Sequence, residues 1–209
     1  MGFIEGFDGA HSGLYIPGSV NGKDYSDLKR YLTYVVPSSC VNDPLPFVDH
    51  LKNVMGETSI RGFAQGTGVD HSTYSRLLDE DNGMVPSLLT LTRIVEGAGL
   101  SDAGVYRIIT DTVTINAETD THRLVFSDNA PALEGSLAEQ FKGYRNARGL
   151  SQRTLAEKAN VDHSALSRIE LTIAGKNRIP TIVTFANLSY ALGLNPRQVR
   201  GLLRAIITS

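Results

Sequence analysis

The feature that most constrains this chain is that it repeats itself. Val69-Asp70-His71-Ser72-Thr73-Tyr74-Ser75-Arg76 recurs as Val161-Asp162-His163-Ser164-Ala165-Leu166-Ser167-Arg168, with six of eight residues identical. The correspondence runs outward. Ser59-Ile60-Arg61-Gly62-Phe63-Ala64 answers Ser151-Gln152-Arg153-Thr154-Leu155-Ala156 at the same offset. Pro86 answers Pro180 and Gly99-Leu100 answers Gly193-Leu194, after a two-residue difference taken up in the intervening loop. Repetition at a fixed period implies one structural unit used twice.

In the second copy, Leu155, Ala156, Ala159, Val161, Leu166 and Ile169 are spaced so that two short helices joined by a tight turn share one small core. Ser151 and Asp162 stand where N-caps belong, each able to accept from free N–H groups of a first turn. The expected fold is mainly α, two five-helix units in tandem. The first unit's helices are expected near 46–55, 59–66, 70–78, 86–97 and 101–109. Those of the second are expected near 137–147, 151–159, 163–171, 181–192 and 196–206.

Four segments follow. Residues 1–44 form an N-terminal extension, in which 14–16 reads as a short strand and Asn21-Gly22 as a turn. Leu28, Tyr31, Leu32 and Val35 lie at helical spacing, which predicts a helix over 25–36. Pro37, Pro44 and Pro46 bracket an irregular connection to the first unit at 45–110. In the linker 111–134, Val113, Ile115, Leu124 and Phe126 alternate around Ala117-Glu118-Thr119-Asp120, the pattern of a β-hairpin. Such a hairpin is marginal alone, so it should lie on a domain, pair with 14–16 or pair with a second subunit. The second unit occupies 135–209.

Charge is divided between the parts. The whole chain carries a formal −2, yet residues 135–209 hold eleven Lys and Arg against four acids, a net of +7. Residues 1–134 hold nine basic and eighteen acidic groups, a net of −9. One end therefore suits a polyanion and the other does not. No apolar run approaches the ~20 residues that span a bilayer, and no signal-peptide pattern opens the chain. With Cys40 the lone cysteine there is no disulfide framework, and a reducing cytoplasm is the expected setting. His11, His50, His71, His122 and His163 show no metal-ligand spacing, so no metal and no cofactor are expected. His163 and Ser164 are neighbours on a helix and do not face each other as a catalytic dyad would. The chain is not expected to be an enzyme.

From Arg145 to Leu194 the second unit resembles the lambda-repressor-like (Cro/XRE) family of helix-turn-helix DNA-binding proteins. The resemblance implies a transcriptional regulator whose second motif helix, starting at His163, reads the major groove of double-stranded DNA. His163, Ser164, Ala165 and Ser167 match the base-reading positions. Gln152 matches a phosphate-gripping position at the start of the first motif helix. In Gly175-Lys176-Asn177-Arg178, matching a basic loop before a proline, Lys176 and Arg178 would pair with phosphates, with Asn177 beside them, or Arg178 would enter the minor groove. Arg168 is a further phosphate candidate. Arg145 and Glu170 match a structural salt bridge. Arg197, Arg200 and Arg204, at helical spacing, read as a solvated face.

The first unit keeps His71, Ser72, Ser75 and Arg76, and these with Thr73, which stands in place of Ala165, form a second candidate DNA surface. It departs from the family elsewhere: Asp79-Glu80-Asp81 replaces the basic loop, Ile60 the Gln, and Asn53 and Leu78 the Arg–Glu pair. Three carboxylates beside a phosphate backbone oppose binding. Two readings stay open for this unit, a protein-contact module or a weak reader of bases. The family's habit implies a homodimer on a palindromic operator, with a pseudo-dimer inside one chain as the alternative. A different class of function is an antitoxin or anti-repressor whose acidic residues 1–134 grip a protein partner.

Overall fold

A computed structural model describes residues 28, 30–35, 47–79, 84–113, 123–171 and 178–208. Ten helices and one two-stranded sheet are found among them. In the first half the helices are α1 (Phe47–Met55), α2 (Ile60–Thr67), α3 (His71–Leu77), α4 (Leu88–Gly97) and α5 (Asp102–Thr112). In the second half they are α6 (Leu137–Ala147), α7 (Gln152–Lys158), α8 (His163–Glu170), α9 (Ile182–Ala191) and α10 (Pro196–Ile207). The fold is mainly α, and the helices lie where hydrophobic periodicity and caps put them.

From α2 onward each helix start is set by a side-chain cap, and the caps of the last four helices of each half repeat with the sequence. Ser59 and Ser151 accept from the N–H three residues on, as do Ser87 and Thr181, and Ser101 and Asn195. Asp70 and Asp162 cap α3 and α8. The turn before each of these two helices needs a left-handed residue. Gly68 (φ 66°) takes that conformation in the first half and Asn160 (φ 50°) in the second, Asn being the non-glycine residue that best tolerates it. Buried apolar side chains join into one cluster that runs through both halves. Tyr74, Leu91 and Ile94 centre it on one side, Phe141, Tyr144 and Phe185 on the other.

One expectation is corrected. Residues 25–36 do not form one helix: Leu32–Val35 is a strand, β1, paired antiparallel with β2 (Arg123–Phe126) in the register Leu32↔Phe126, Thr33↔Val125, Tyr34↔Leu124 and Val35↔Arg123. Thr33, Tyr34 and Val35 are strand-favouring residue types, and a distant strand completes their backbone hydrogen bonding. Leu124 and Phe126 therefore pair across the chain with Tyr34 and Leu32, while Ile115, on the other arm of the expected hairpin, lies outside the described residues. Val113 is the extended residue that ends α5. The strand proposed at 14–16, the turn at Asn21-Gly22, the prolines at 37, 44 and 46, Cys40, His11, His122 and the 117–120 turn lie outside the described residues.

The β2 strand and the segment after it are anchored to the second half. The Phe126 N–H donates to the Gly193 carbonyl at 2.9 Å. Asn195 Nδ2 donates to the carbonyls of Ser127 (2.7 Å) and Ala130 (3.0 Å), and Gln198 Nε2 to that of Pro131 (3.2 Å). The Leu133 N–H donates to the buried Tyr144 hydroxyl at 2.9 Å, and burial pushes the Tyr144 phenol well above its usual range. Gly193 sits at φ +54°, where a Cβ would come within 2.7 Å of the Leu124 carbonyl oxygen. Only glycine lets the strand approach that turn so closely.

Candidate nucleic-acid interface

The site is built on α7, the tight turn after it, and α8. Leu166 and Ile169 face the core, which turns His163, Ser164 and Arg168 to solvent. Ala165 and Ser167 are half-buried between the two faces. Asp162 accepts from the N–H groups of Ser164 (2.8 Å) and Ala165 (3.1 Å), and the Ser164 hydroxyl also donates to it. The Ser164 hydroxyl bond, then the Ala165 and Ser164 amides, hold the Asp162 carboxyl below its usual range, with Arg168 adding a smaller contribution. Arg168 folds back along the helix: its Nε donates to the Ser164 carbonyl at 3.0 Å and Nη2 lies 3.4 Å from Ser164 Oγ.

Behind α8 stands the charged pair. Arg145 Nε and Nη2 donate to the two Glu170 oxygens, both at 2.7 Å, and the Glu170 side chain is 1% exposed. Arg145 Nη1 also donates to the Leu150 carbonyl at 2.8 Å and to Asn146 Oδ1 at 3.0 Å. With every charge-bearing end engaged, a buried pair of this geometry ties α6 to α8 and sets how α8 is presented.

Gln152 departs from its expected use. Its Nε2 donates to Glu170 Oε2 at 2.8 Å, so the amide points inward and completes the hydrogen bonding of the buried carboxylate. Sequence reasoning missed this third member of the cluster. Its signal was spacing: Gln152 opens the helix that packs on α8, within reach of that helix's last turn.

Arg178 is exposed just ahead of the buried Pro180, whereas Lys176 and Asn177 lie outside the described residues. Arg153, also not singled out, pairs with Glu157 at 3.0 Å and rims a shallow depression with Asn160, Asp162 and His163.

The first half holds the same local geometry. His71, Ser72, Ser75 and Arg76 are exposed and Thr73 is half-buried. Asp70 accepts the Ser72 N–H at 2.8 Å, and Arg76 Nε lies 3.4 Å from the Ser72 carbonyl. Asn53 is exposed and Leu78 half-buried, and α1 meets α3 less closely than α6 meets α8.

Residues 136–203 match the family described as a helix-turn-helix domain. That segment spans α6 to α10 up to Leu203 and contains the whole of the site. No curated protein and no solved structure matches the chain. The second half thus carries a helix-turn-helix domain, which supports membership of a DNA-binding class. Among the described residues no helix is long and apolar enough to cross a membrane.

Proposed function

We propose that the protein is a sequence-specific DNA-binding regulator of transcription, of the lambda-repressor-like kind, that lays α8 in the major groove. The observation that supports this most is the exposure of His163, Ser164 and Arg168 on a helix clamped from behind by Arg145 and Glu170. His163 and Ser164 read base edges, the Ala165 methyl meets a thymine methyl, and Ser167 lies at the edge of the contact. Arg168, Lys176, Asn177 and Arg178 serve the phosphates, and the free N–H groups at the start of α7 take the role first given to the Gln152 side chain.

The test selects duplexes from a random pool with the full chain, then measures affinity at several salt concentrations. A sequence logo and a linear fall of log affinity with log salt are expected. His163→Ala should cost about 1–3 kcal/mol for the preferred base at one position of each recognised half-site. An unaltered logo removes His163 from base reading, and a chain with no salt-dependent affinity for any duplex refutes the function.

A further inference from the structure

The two halves meet through the same two helices of each. α10 packs on α5 and on α4, and α9 in turn touches α5. Counted within each half, the fifth helices face each other and the fourth helix of each touches the fifth of the other. Reciprocity of this kind marks an isologous two-fold interface, here made inside one chain.

The repeat identifies which residues correspond across it. With Gly99-Leu100 aligned on Gly193-Leu194, Glu96 corresponds to Tyr190 and Tyr106 to Arg200. One edge holds an ion cluster. Arg200 Nε donates to Glu96 Oε1 at 2.8 Å, Nη1 to Asp102 Oδ1 at 3.1 Å, and Arg204 Nε to Glu96 Oε2 at 3.0 Å. The corresponding positions on the other edge are Tyr106 and Tyr190, both half-buried against the core. Joining two first halves in this way would bring Glu96 to Tyr106, and joining two second halves would bring Arg200 to Tyr190. Either leaves a poorly solvated charge without its partner, so the interface selects first half with second.

We infer that the chain is a built-in pseudo-dimer, closed through α4, α5, α9 and α10, and that it meets one DNA duplex as a single chain. The exposed side chains of α3 and of α8 then take two half-sites of related sequence. This rests on the DNA-reading function proposed above. Two independent features carry it: the reciprocal helix packing, and the retention of His71, Ser72, Ser75 and Arg76 in the conformation of His163, Ser164, Ser167 and Arg168. Asp79 flanks the first face, so its half-site is held with fewer phosphate contacts and weaker salt dependence.

Native mass spectrometry and footprinting of the full chain on its selected duplex test the inference. One chain per duplex and two protected half-sites are expected. The exposed double variants His71→Ala/Arg76→Ala and His163→Ala/Arg168→Ala should each lose protection at one half-site and weaken binding about tenfold or more. Two chains per duplex overturn the pseudo-dimer, and so does a single protected half-site indifferent to the α3 variant. A wild-type chain that protects nothing overturns the DNA-reading function itself, an outcome distinct from either.

Discussion

Glu170 shows how much one buried carboxylate organises. It receives two hydrogen bonds from Arg145 and one from Gln152, and so links α6, α7 and α8 behind the exposed face. Glu170→Ala strands a buried guanidinium and should destabilise the protein by about 3–5 kcal/mol in urea unfolding. Replacing both partners, Arg145→Asn with Glu170→Leu, installs the pair that the first half carries at Asn53 and Leu78 and should cost much less. Equal losses in the single and double variants would show that the unpaired charge is not what matters. The pairing of Arg145 with Glu170 was implied by the resemblance of this stretch to the lambda-repressor-like family. The bond from Gln152 was not: an amide at a helix start suits a phosphate or a neighbouring carboxylate equally, and proximity decides.

At the scale of elements, caps and turns account for most of what was legible. Asp162 is a cap with a pH signature. Its folded-state pKa is lowered below the ordinary 3.8, so its stabilisation is complete above the unfolded-state value and fades as pH falls from there through the folded value. The gap in thermal stability between wild type and Asp162→Ala should therefore hold from neutral pH down to about 4 and shrink below it. A gap constant into strong acid would show that the carboxylate does not act as the cap. The strand pair was misread because Leu28, Tyr31, Leu32 and Val35 satisfy a helical stripe while 33–35 equally satisfy a strand. The deciding partner, β2, lies far along the chain. Gly193→Ala forces a left-handed alanine against the Leu124 carbonyl and should cost about 1–3 kcal/mol. In hydrogen exchange the Phe126 amide, which bonds to the Gly193 carbonyl, should lose protection first. Unchanged protection there would mean that strand and turn part at no cost.

For the molecule as a whole, the last helix is the joint. Arg200, expected to face solvent, is instead half-buried against Glu96 and Asp102 of the first half, and Arg204 reaches Glu96 while staying exposed as expected. Helical spacing showed that the arginines share a face without showing what that face meets. Arg200→Ala should cost about 1.5–3 kcal/mol, the usual worth of hydrogen bonds to a charged group. It should also let the halves unfold at separate midpoints in a denaturant titration monitored at several probes. A single coincident transition would show that the apolar packing of α10 suffices. A fragment cut at 135 would lose the Ser127, Ala130 and Pro131 carbonyls that hold Asn195 and Gln198, and would bare the face of α10 that meets α4 and α5. The full chain is therefore the proper object of a DNA-binding test.

What the sequence by itself determined is what short-range chemistry encodes. The repeat, the helix starts at Ser, Thr, Asp and Asn caps, the apolar stripes and the basic character of the second half all depend on residues within a turn or two of one another. The tertiary structure alone decided which strand pairs with β1, where Gln152 spends its amide, and that Arg200 and Arg204 join the halves. Each of those is a contact between groups far apart in the chain. Several partners there were chemically acceptable, and only the packing of the ten helices chose among them.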